Sequence, residues 1–186
     1  VPQLIMVPRA SLTLARRILA RCATSTTPPN KPRTSPFRRA HTATRSAKPT
    51  LVVAASQIQP HATVQENVNA ILTQMKDAAR QGAEVIVLPE AAITGYDEGA
   101  ILRAMAEGDG ETVREAEAVI AEACRTHKLA AIVGTPYYDE TTGAVYNSAT
   151  VIGPDGRVAG RQHKLQLVST DVGWSRPGSK IQVFNL

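Results

Sequence analysis

The carboxylate of Glu90 is the first candidate for chemistry, because it follows directly on an apolar run that resembles a strand. Segment 85–88 contains three β-branched residues and Pro89 ends it, which predicts a buried parallel strand. Open α/β folds place their reactive groups at the carboxyl ends of such strands. Glu90, followed by a turn-like segment at 91–96, is therefore a candidate general base. The same motif also fits a solvated glutamate on the rim of a surface loop.

Charge divides the chain into two unlike parts. Residues 1–50 hold ten of the 21 lysines and arginines and none of the 16 acidic residues. We assign residues 1–48 to a basic leader and residues 49–186 to a globular domain. The leader is rich in Ser, Thr, Ala and Pro and poor in apolar surface, which predicts that it is disordered.

Segment 12–21 of the leader can form a helix with an arginine face and an apolar face. An acid-free, Arg-rich and Ser-rich amphipathic start is typical of a mitochondrial transit peptide, so we predict mitochondrial import, with the cytoplasm as the alternative. The apolar run is too short for a membrane span. A basic arm that binds nucleic acid is the rival interpretation, but Phe37 is the leader's only aromatic residue. We expect neither a membrane nor a nucleic acid as partner.

Cysteine and histidine give no sign of a disulfide framework or of a metal site. Cys22 lies in the leader and Cys124 in a predicted helix, a usage typical of a reducing compartment. The four histidines have no partner at the spacing of metal ligands. The sequence therefore predicts neither a metal nor another cofactor.

Strands and helices are predicted to alternate along the globular part. A strand at 51–55 precedes a helix that begins at Thr63 or Asn67 and ends at Gly82, and the strand at 85–88 follows. Because a helix joins them, these two strands should be parallel. The remaining predicted elements are a helix at about 111–127, a strand at 129–134, a hairpin with arms 135–139 and 145–152, and strands at 157–161 and 181–184.

This order of elements places the chain in the α/β class. Two helices would leave one face of the sheet poorly covered, and the last predicted strand begins only a few residues before Leu186. Two interpretations follow from that arrangement. The chain pairs with a second copy of itself, or it is the front part of a longer domain.

A series of motifs runs in order from about residue 51 to residue 186. They are Ala55-Ser56-Gln57, the helix start at Asn67, segment 82–90, Thr94-Gly95-Tyr96, segment 145–149, segment 156–164 and Arg176-Pro177-Gly178. None is specific alone, but in this order and spacing the chain resembles the nitrilase superfamily of carbon–nitrogen hydrolases. The resemblance implies the first portion of an α-β-β-α sandwich, with the C-terminal portion absent.

Members of this family use a glutamate, a lysine and a cysteine, and the resemblance maps the first two onto Glu90 and Lys164. The thiolate attacks a nitrile or amide carbon, the glutamate takes the thiol proton and later activates water, and the lysine stabilises the oxyanion. Without the resemblance, Lys164 would be interpreted as an exposed lysine. The loop from Tyr96 to Ile101 would shape the pocket, with Tyr96 as a substrate-binding residue.

The resemblance also implies a substrate and an assembly. The substrate is a small amide rather than a nitrile or an N-carbamoyl compound, because the amide-hydrolysing branches of the family are the more numerous. The implied partner, besides this small molecule, is a second copy of the chain in a homodimer.

The nucleophile that the family requires is missing from the printed sequence. In the family this cysteine follows the lysine, and no cysteine follows Lys164 here. Cys124 lies on the apolar stripe of a helix, where a thiol acts as a small hydrophobe, and Cys22 lies in the leader. Many members also place a further glutamate in the loop after the lysine, where Asp171 is the only acid here, so either this shorter carboxylate serves in its place or the loop differs.

Three interpretations therefore stay open. The chain is the front part of an amidase, or a truncated paralogue that acts as a binding or dimerisation module, or a fragment that does not fold alone. As written, it is expected to be inactive, because a covalent mechanism needs its nucleophile.

The leader gives the first testable prediction. Residues 1–50 fused to a fluorescent protein should carry it into mitochondria, because their arginines and apolar face match an import signal. Microscopy with a mitochondrial dye measures the outcome. A control fusion with Arg16, Arg17 and Arg21 changed to glutamate should stay in the cytosol. A uniformly cytosolic signal from the unchanged segment would contradict mitochondrial import.

Overall fold

The computed structural model describes residues 3–6, 50–106 and 110–186, in which six strands form one sheet in chain order. The strands are β1 (Gln3–Met6), β2 (Val53–Gln57), β3 (Val85–Val87), β4 (Ala130–Asp139), β5 (Ala144–Ile152) and β6 (Val158–His163). The helices of these described residues are α1 (Val64–Arg80), α2 (Glu98–Ala106) and α3 (Glu111–His127). This is the α/β class that the sequence predicts.

Strand directions bring distant parts of the chain to one edge of the sheet. Strands β2, β3 and β4 are parallel to one another, so the predicted crossover through α1 is confirmed. Strand β5 is antiparallel to β4, and β6 is antiparallel to β5. Strand β6 therefore runs in the same direction as β3 and β4. Glu90 and Lys164, which follow β3 and β6, must then lie at the same edge.

The apolar stripes of α1 and α3 cover one face of the sheet. One core cluster joins them to alternate residues of the central strands, and its largest fully buried members include Ile71, Met75, Ile86, Ile120 and Ile152. Helix α1 starts at Thr63, whose hydroxyl accepts a hydrogen bond from the backbone N–H of Glu66 in a capping box. Of the two predicted helix starts, Thr63 is therefore right and Asn67 is wrong.

Asn67 serves the fold in another way. Its side chain is fully buried, accepts a hydrogen bond from the backbone N–H of His61 at 2.7 Å, and donates to the carbonyl of Ile93 at 3.1 Å. The first turn of α1 is thereby joined to the turn that follows Glu90. A buried amide satisfied on both sides keeps that turn in one place.

Helix α2 is absent from the sequence-based expectation, which places a turn at 91–96 and a loop from Tyr96 to Ile101. Asp97 caps this helix, accepting a hydrogen bond from the backbone N–H of Ala100 at 2.8 Å. Behind the cap, Ile101, Ala104 and Met105 are buried at helical spacing. The cap and the apolar spacing were both present in the sequence.

Two strand predictions need correction. The predicted strand at 129–134 and the hairpin arm at 135–139 form one continuous strand, β4. The predicted strand at 181–184 is absent, and Ile181 and Val183 are exposed. The backbone N–H of Gln182 donates to the side chain of Gln162 at 2.8 Å rather than to a neighbouring backbone, so no ladder forms there.

Strand β1 lies inside the segment that the sequence assigns to a disordered leader. Its backbone pairs antiparallel with β2, with Gln3 opposite Gln57 and Met6 opposite Ala54. The outer edge of β2 offers unpaired backbone groups, and a short apolar segment satisfies them. Disorder therefore does not hold for residues 3–6. The leader's remaining residues up to 48 lie outside the described residues, and their disorder stays a prediction.

Gly134 on β4 allows the turn that carries Glu90 to approach the sheet closely. A Cβ atom at Gly134 would lie 2.6 Å from Cα of Glu90 and would also overlap the carbonyl oxygen of Pro89. The carbonyl of Gly134 accepts a hydrogen bond from the N–H of Ala92 at 2.7 Å. Only glycine fits this position without displacing the backbone beside Glu90.

We predict that Gly134→Ala destabilises the protein by roughly 3 kcal/mol, because the new methyl group meets backbone atoms that cannot move aside cheaply. Urea denaturation measures the change. The control is Gly82→Ala, where a Cβ meets nothing within 4 Å but φ is +81°. Backbone strain alone should cost that variant about 1 kcal/mol. Equal losses in the two variants would contradict the close approach.

Candidate active site

The turn after β3 holds Glu90 at the edge of the sheet. The N–H of Leu88 donates to the carbonyl of Ile132 at 2.9 Å, which continues the pairing with β4 up to Pro89. Ala91 then adopts a left-handed conformation, with φ of 50°, which is uncommon for a residue other than glycine. Such backbone strain often accompanies functional positions, and here it turns the chain immediately after Glu90.

Lys164 bridges two carboxylates. Its Nζ lies 2.8 Å from Oε1 of Glu90 and 2.7 Å from Oδ2 of Asp171. Burial opposes the charge of Lys164, but the hydrogen bonds that it donates to Asp171 and Glu90 outweigh this cost and raise its pKa above the ordinary value. The structure thus brings Glu90 and Lys164 together, 74 residues apart in the chain.

Asp171 is the fully buried member of this cluster. It lies in the loop after β6, which also contains Trp174, a member of the core cluster. Burial disfavours the charged carboxylate, but hydrogen bonds from Lys164, Tyr96, the N–H of Val168 and Asn147 outweigh that effect and lower its pKa to about 2. Asp171 is therefore ionised at neutral pH, as a counter-ion of Lys164.

Asn147 completes the cluster, and the sequence interpretation missed its contacts. It lies on β5 and is buried, and its Nδ2 donates to Oε1 of Glu90 at 2.6 Å and to Oδ1 of Asp171 at 3.2 Å. The motif at 145–149 contains this residue, but nothing in the sequence distinguishes a polar strand residue of a site from one that faces solvent.

Tyr96 contacts the cluster through Asp171. Its hydroxyl donates to Oδ1 of Asp171 at 2.7 Å and lies 3.1 Å from Oγ1 of Thr170. The bond with Thr170 favours the ionised phenol, but Asp171, burial and the charge of Glu90 outweigh it and raise the pKa of Tyr96. The hydroxyl is thus a neutral donor at physiological pH. A substrate-binding role for Tyr96 stays a prediction.

An open cleft of about 330 Å³ lies beside Glu90 and Lys164. Its other lining residues are Val87, Leu88, Ile132, Gly134, Asn147, Ser148, Ala149 and Gln162. The cleft therefore combines an apolar sheet surface with a carboxylate and an ammonium group at one end. Tyr96 is not among these lining residues, although it is 41% exposed. A small molecule held here would meet both charged groups.

The thiol of Cys124 lies away from this cleft, on the buried face of α3 in the core cluster. Burial raises its pKa to about 12, so it stays a neutral thiol at physiological pH. Cys124 thus acts as a small hydrophobe, as the sequence predicts. Among the described residues, no group of three or more histidine, cysteine or acidic side chains could hold a metal ion.

The family model for carbon-nitrogen hydrolase matches residues 52–184. The chain belongs to this family, and the resemblance to the nitrilase superfamily is confirmed. Within the described part of the chain, no helix has the length and apolar character needed to cross a bilayer.

Similar sequences carry the names of nitrilases and amidases. Omega-amidase NIT2 of Danio rerio is 32% identical over 107 residues, which cover 58% of this chain and 37% of the relative. Nitrilase homolog 2 of Dictyostelium discoideum is 29% identical over 109 residues, covering 58% of this chain and 32% of the relative. The chain thus spans about a third of the length of these curated relatives.

Solved structures share the fold. A glutamine-dependent NAD+ synthetase of Acinetobacter baumannii has a TM-score of 0.64 and 27% identity, over 72% of this chain and 25% of that one. An amidase of Nesterenkonia sp. has a TM-score of 0.59 and 22% identity, over 69% of this chain and 48% of that one. The described residues form α and β layers of the α-β-β-α sandwich that the resemblance implies.

Asp171→Asn should destabilise the protein by roughly 2 kcal/mol at pH 7, because an amide nitrogen would face donors and Lys164 would lose a buried counter-ion. Because folding lowers the pKa of Asp171 from 3.8 to about 2, its contribution is complete above pH 4 and disappears as the pH falls through 2. Urea unfolding from pH 7 to pH 2 measures both effects.

The difference between wild type and Asp171→Asn should therefore shrink at the acidic end of this range. Glu140→Gln is the control, since Glu140 forms an exposed ion pair with Arg114. This variant should follow the wild-type curve closely. A difference between wild type and Asp171→Asn that is independent of pH would contradict an ionised, buried Asp171.

Proposed function

We propose that this chain carries the proton acceptor and the oxyanion-binding cation of an amide-hydrolysing site. The observation that supports this proposal is the position of Lys164, whose ammonium group lies between Glu90 and Asp171 at the end of an apolar cleft. A base and a cation that reach one small volume are what acyl transfer requires.

The proposed reaction begins with a cysteine thiol beside the cleft. Glu90 takes the thiol proton, and the thiolate attacks the amide carbon while Lys164 stabilises the negative oxygen that develops. Collapse of this intermediate breaks the C–N bond, and the departing amine takes the proton from Glu90. Glu90 then removes a proton from water, which attacks the thioester and releases a carboxylic acid and the thiol.

The thiol must come from outside the described site, because Cys124 is buried in the core and no cysteine follows Lys164 in the printed sequence. We therefore propose that the 186-residue chain has no hydrolase activity by itself. Positioned acid–base and oxyanion groups without the nucleophile leave only a residual rate enhancement.

We propose a small non-peptide amide as substrate, ahead of a nitrile or an N-carbamoyl compound. Omega-amidases and an amidase are among the similar proteins, and the cleft of about 330 Å³ suits a small molecule. A homodimer and mitochondrial import through the basic leader are further parts of this proposal.

The alternative function is a non-catalytic binding or dimerisation module. The observation in its favour is that Lys164 is already neutralised by two carboxylates, in a sequence that lacks the family's cysteine. In that case the cluster would bind a small amide, or only stabilise the loop that carries Asp171, without breaking a bond.

The test compares the 186-residue chain with a version extended through a cysteine-bearing strand, taken from the downstream genomic sequence. Ammonia release from a panel of small amides and nitriles measures activity. We expect activity from the extended chain alone. Glu90→Gln and Lys164→Met should each lower kcat by about 100-fold or more.

Two outcomes would overturn the proposal. Activity in the short chain that disappears in Cys124→Ala would make the helical cysteine the nucleophile. A folded but inactive extended chain would favour the binding module. The control Lys76→Met removes a lysine of helix α1 that lies outside the cleft and should leave activity unchanged.

A further inference from the structure

Asn147 contacts all three charged residues of the cluster. Its side-chain nitrogen donates to Glu90 and Asp171, and its backbone carbonyl accepts the N–H of Lys164 at 2.8 Å. Its own backbone N–H donates to Oγ of Ser175 at 2.9 Å. Because Asn147 and Asp171 are buried, a rotation of the amide would leave buried polar atoms without partners.

The orientation of this amide follows from its partners. An ionised carboxylate can only accept hydrogen bonds, so Asn147 must turn its NH₂ group, and not its carbonyl oxygen, toward Glu90 and Asp171. The nitrogen has two hydrogens, one for each carboxylate. Asn147 thus separates two like charges that share one lysine.

The two carboxylates differ in how many of their oxygens accept hydrogen bonds. Both oxygens of Asp171 are occupied, Oδ1 by Tyr96 and Asn147 and Oδ2 by Lys164 and the N–H of Val168. Asp171 is fully buried as well. It therefore has no oxygen available to a substrate or to water.

In Glu90, only one of the two carboxylate oxygens accepts hydrogen bonds from the described residues. Oε1 accepts from Asn147 and Lys164, whereas no donor among the described residues reaches Oε2. The side chain of Glu90 is 48% exposed and borders the cleft. Glu90 is therefore held through one oxygen and open to chemistry at the other.

We propose that Asn147 is a positioning residue that gives the two carboxylates different roles. It fixes Asp171 as the permanent counter-ion of Lys164 and leaves Oε2 of Glu90 as the atom that takes the proton. This inference rests on the proposed function. In that reaction, the proton leaves the sulfur of the incoming thiol for Oε2, and the S–H electron pair stays on the thiolate.

The test is an NMR titration of the side-chain carboxyl carbons in the ¹³C-labelled 186-residue chain, without substrate. In Asn147→Leu, the midpoint of Asp171 should rise from its value of about 2 by roughly one pH unit, because one hydrogen bond to the carboxylate is lost. The chemical shift of the Glu90 carboxyl carbon should also change, because Oε1 loses the hydrogen bond from Asn147. Thermal unfolding confirms that the variant is folded.

Thr150→Val is the matched control on the same strand. Its hydroxyl donates to Glu117 at 2.7 Å, away from the cluster, so this variant loses a buried hydrogen bond but should leave both carboxyl signals unchanged. If Asn147→Leu does not fold, Asn147→Ala makes the same comparison. Carboxyl signals that match wild type in a folded Asn147 variant would overturn the inference.

The titration also separates this inference from the proposed function. An inactive extended chain, together with the expected carboxyl shifts, would contradict the hydrolase and leave the positioning role of Asn147 standing. Activity in the extended chain, together with carboxyl signals of the 186-residue chain that do not change in Asn147→Leu, would overturn the positioning role alone.

Discussion

The ion cluster around Lys164 is the interaction on which the organisation of this site depends. A lysine at the end of a strand would ordinarily extend into water, whereas here one buried and one half-exposed carboxylate hold its ammonium group at the cleft. Burying such charges is costly unless each is paired and hydrogen-bonded. Asp171 meets that condition with four donors, and its position determines where the loop after β6 must lie.

The sheet provides the geometry that the cluster needs. Strands β3 and β6 run in the same direction, so the residues that follow them meet at one edge, and Asn147 on β5 lies between them. Close contact at this edge is possible because Gly134 has no side chain beneath Glu90. The arrangement of charges thus follows from strand direction and from one missing Cβ atom.

Sequence patterns could predict the parts of this structure that depend on local periodicity. They predicted α1, α3, the parallel pairing of β2 and β3, and the position of Glu90 at the end of a strand. They did not predict the roles of Gly134 and Asn147, because both depend on contacts between segments far apart in the chain. The predicted strand at 181–184 was wrong because the side chain of Gln162 takes the place of a backbone partner.

The charge state of Lys164 tests the account most directly. In the ¹⁵N-labelled chain, the Nζ resonance of Lys164, assigned with Lys164→Arg, can be followed as the pH rises past the ordinary lysine pKa of 10.5. We expect Lys164 to keep its proton well past that pH, because Glu90 and Asp171 stabilise the ammonium form. A Lys164 that loses its proton near pH 10.5 would contradict the ion cluster.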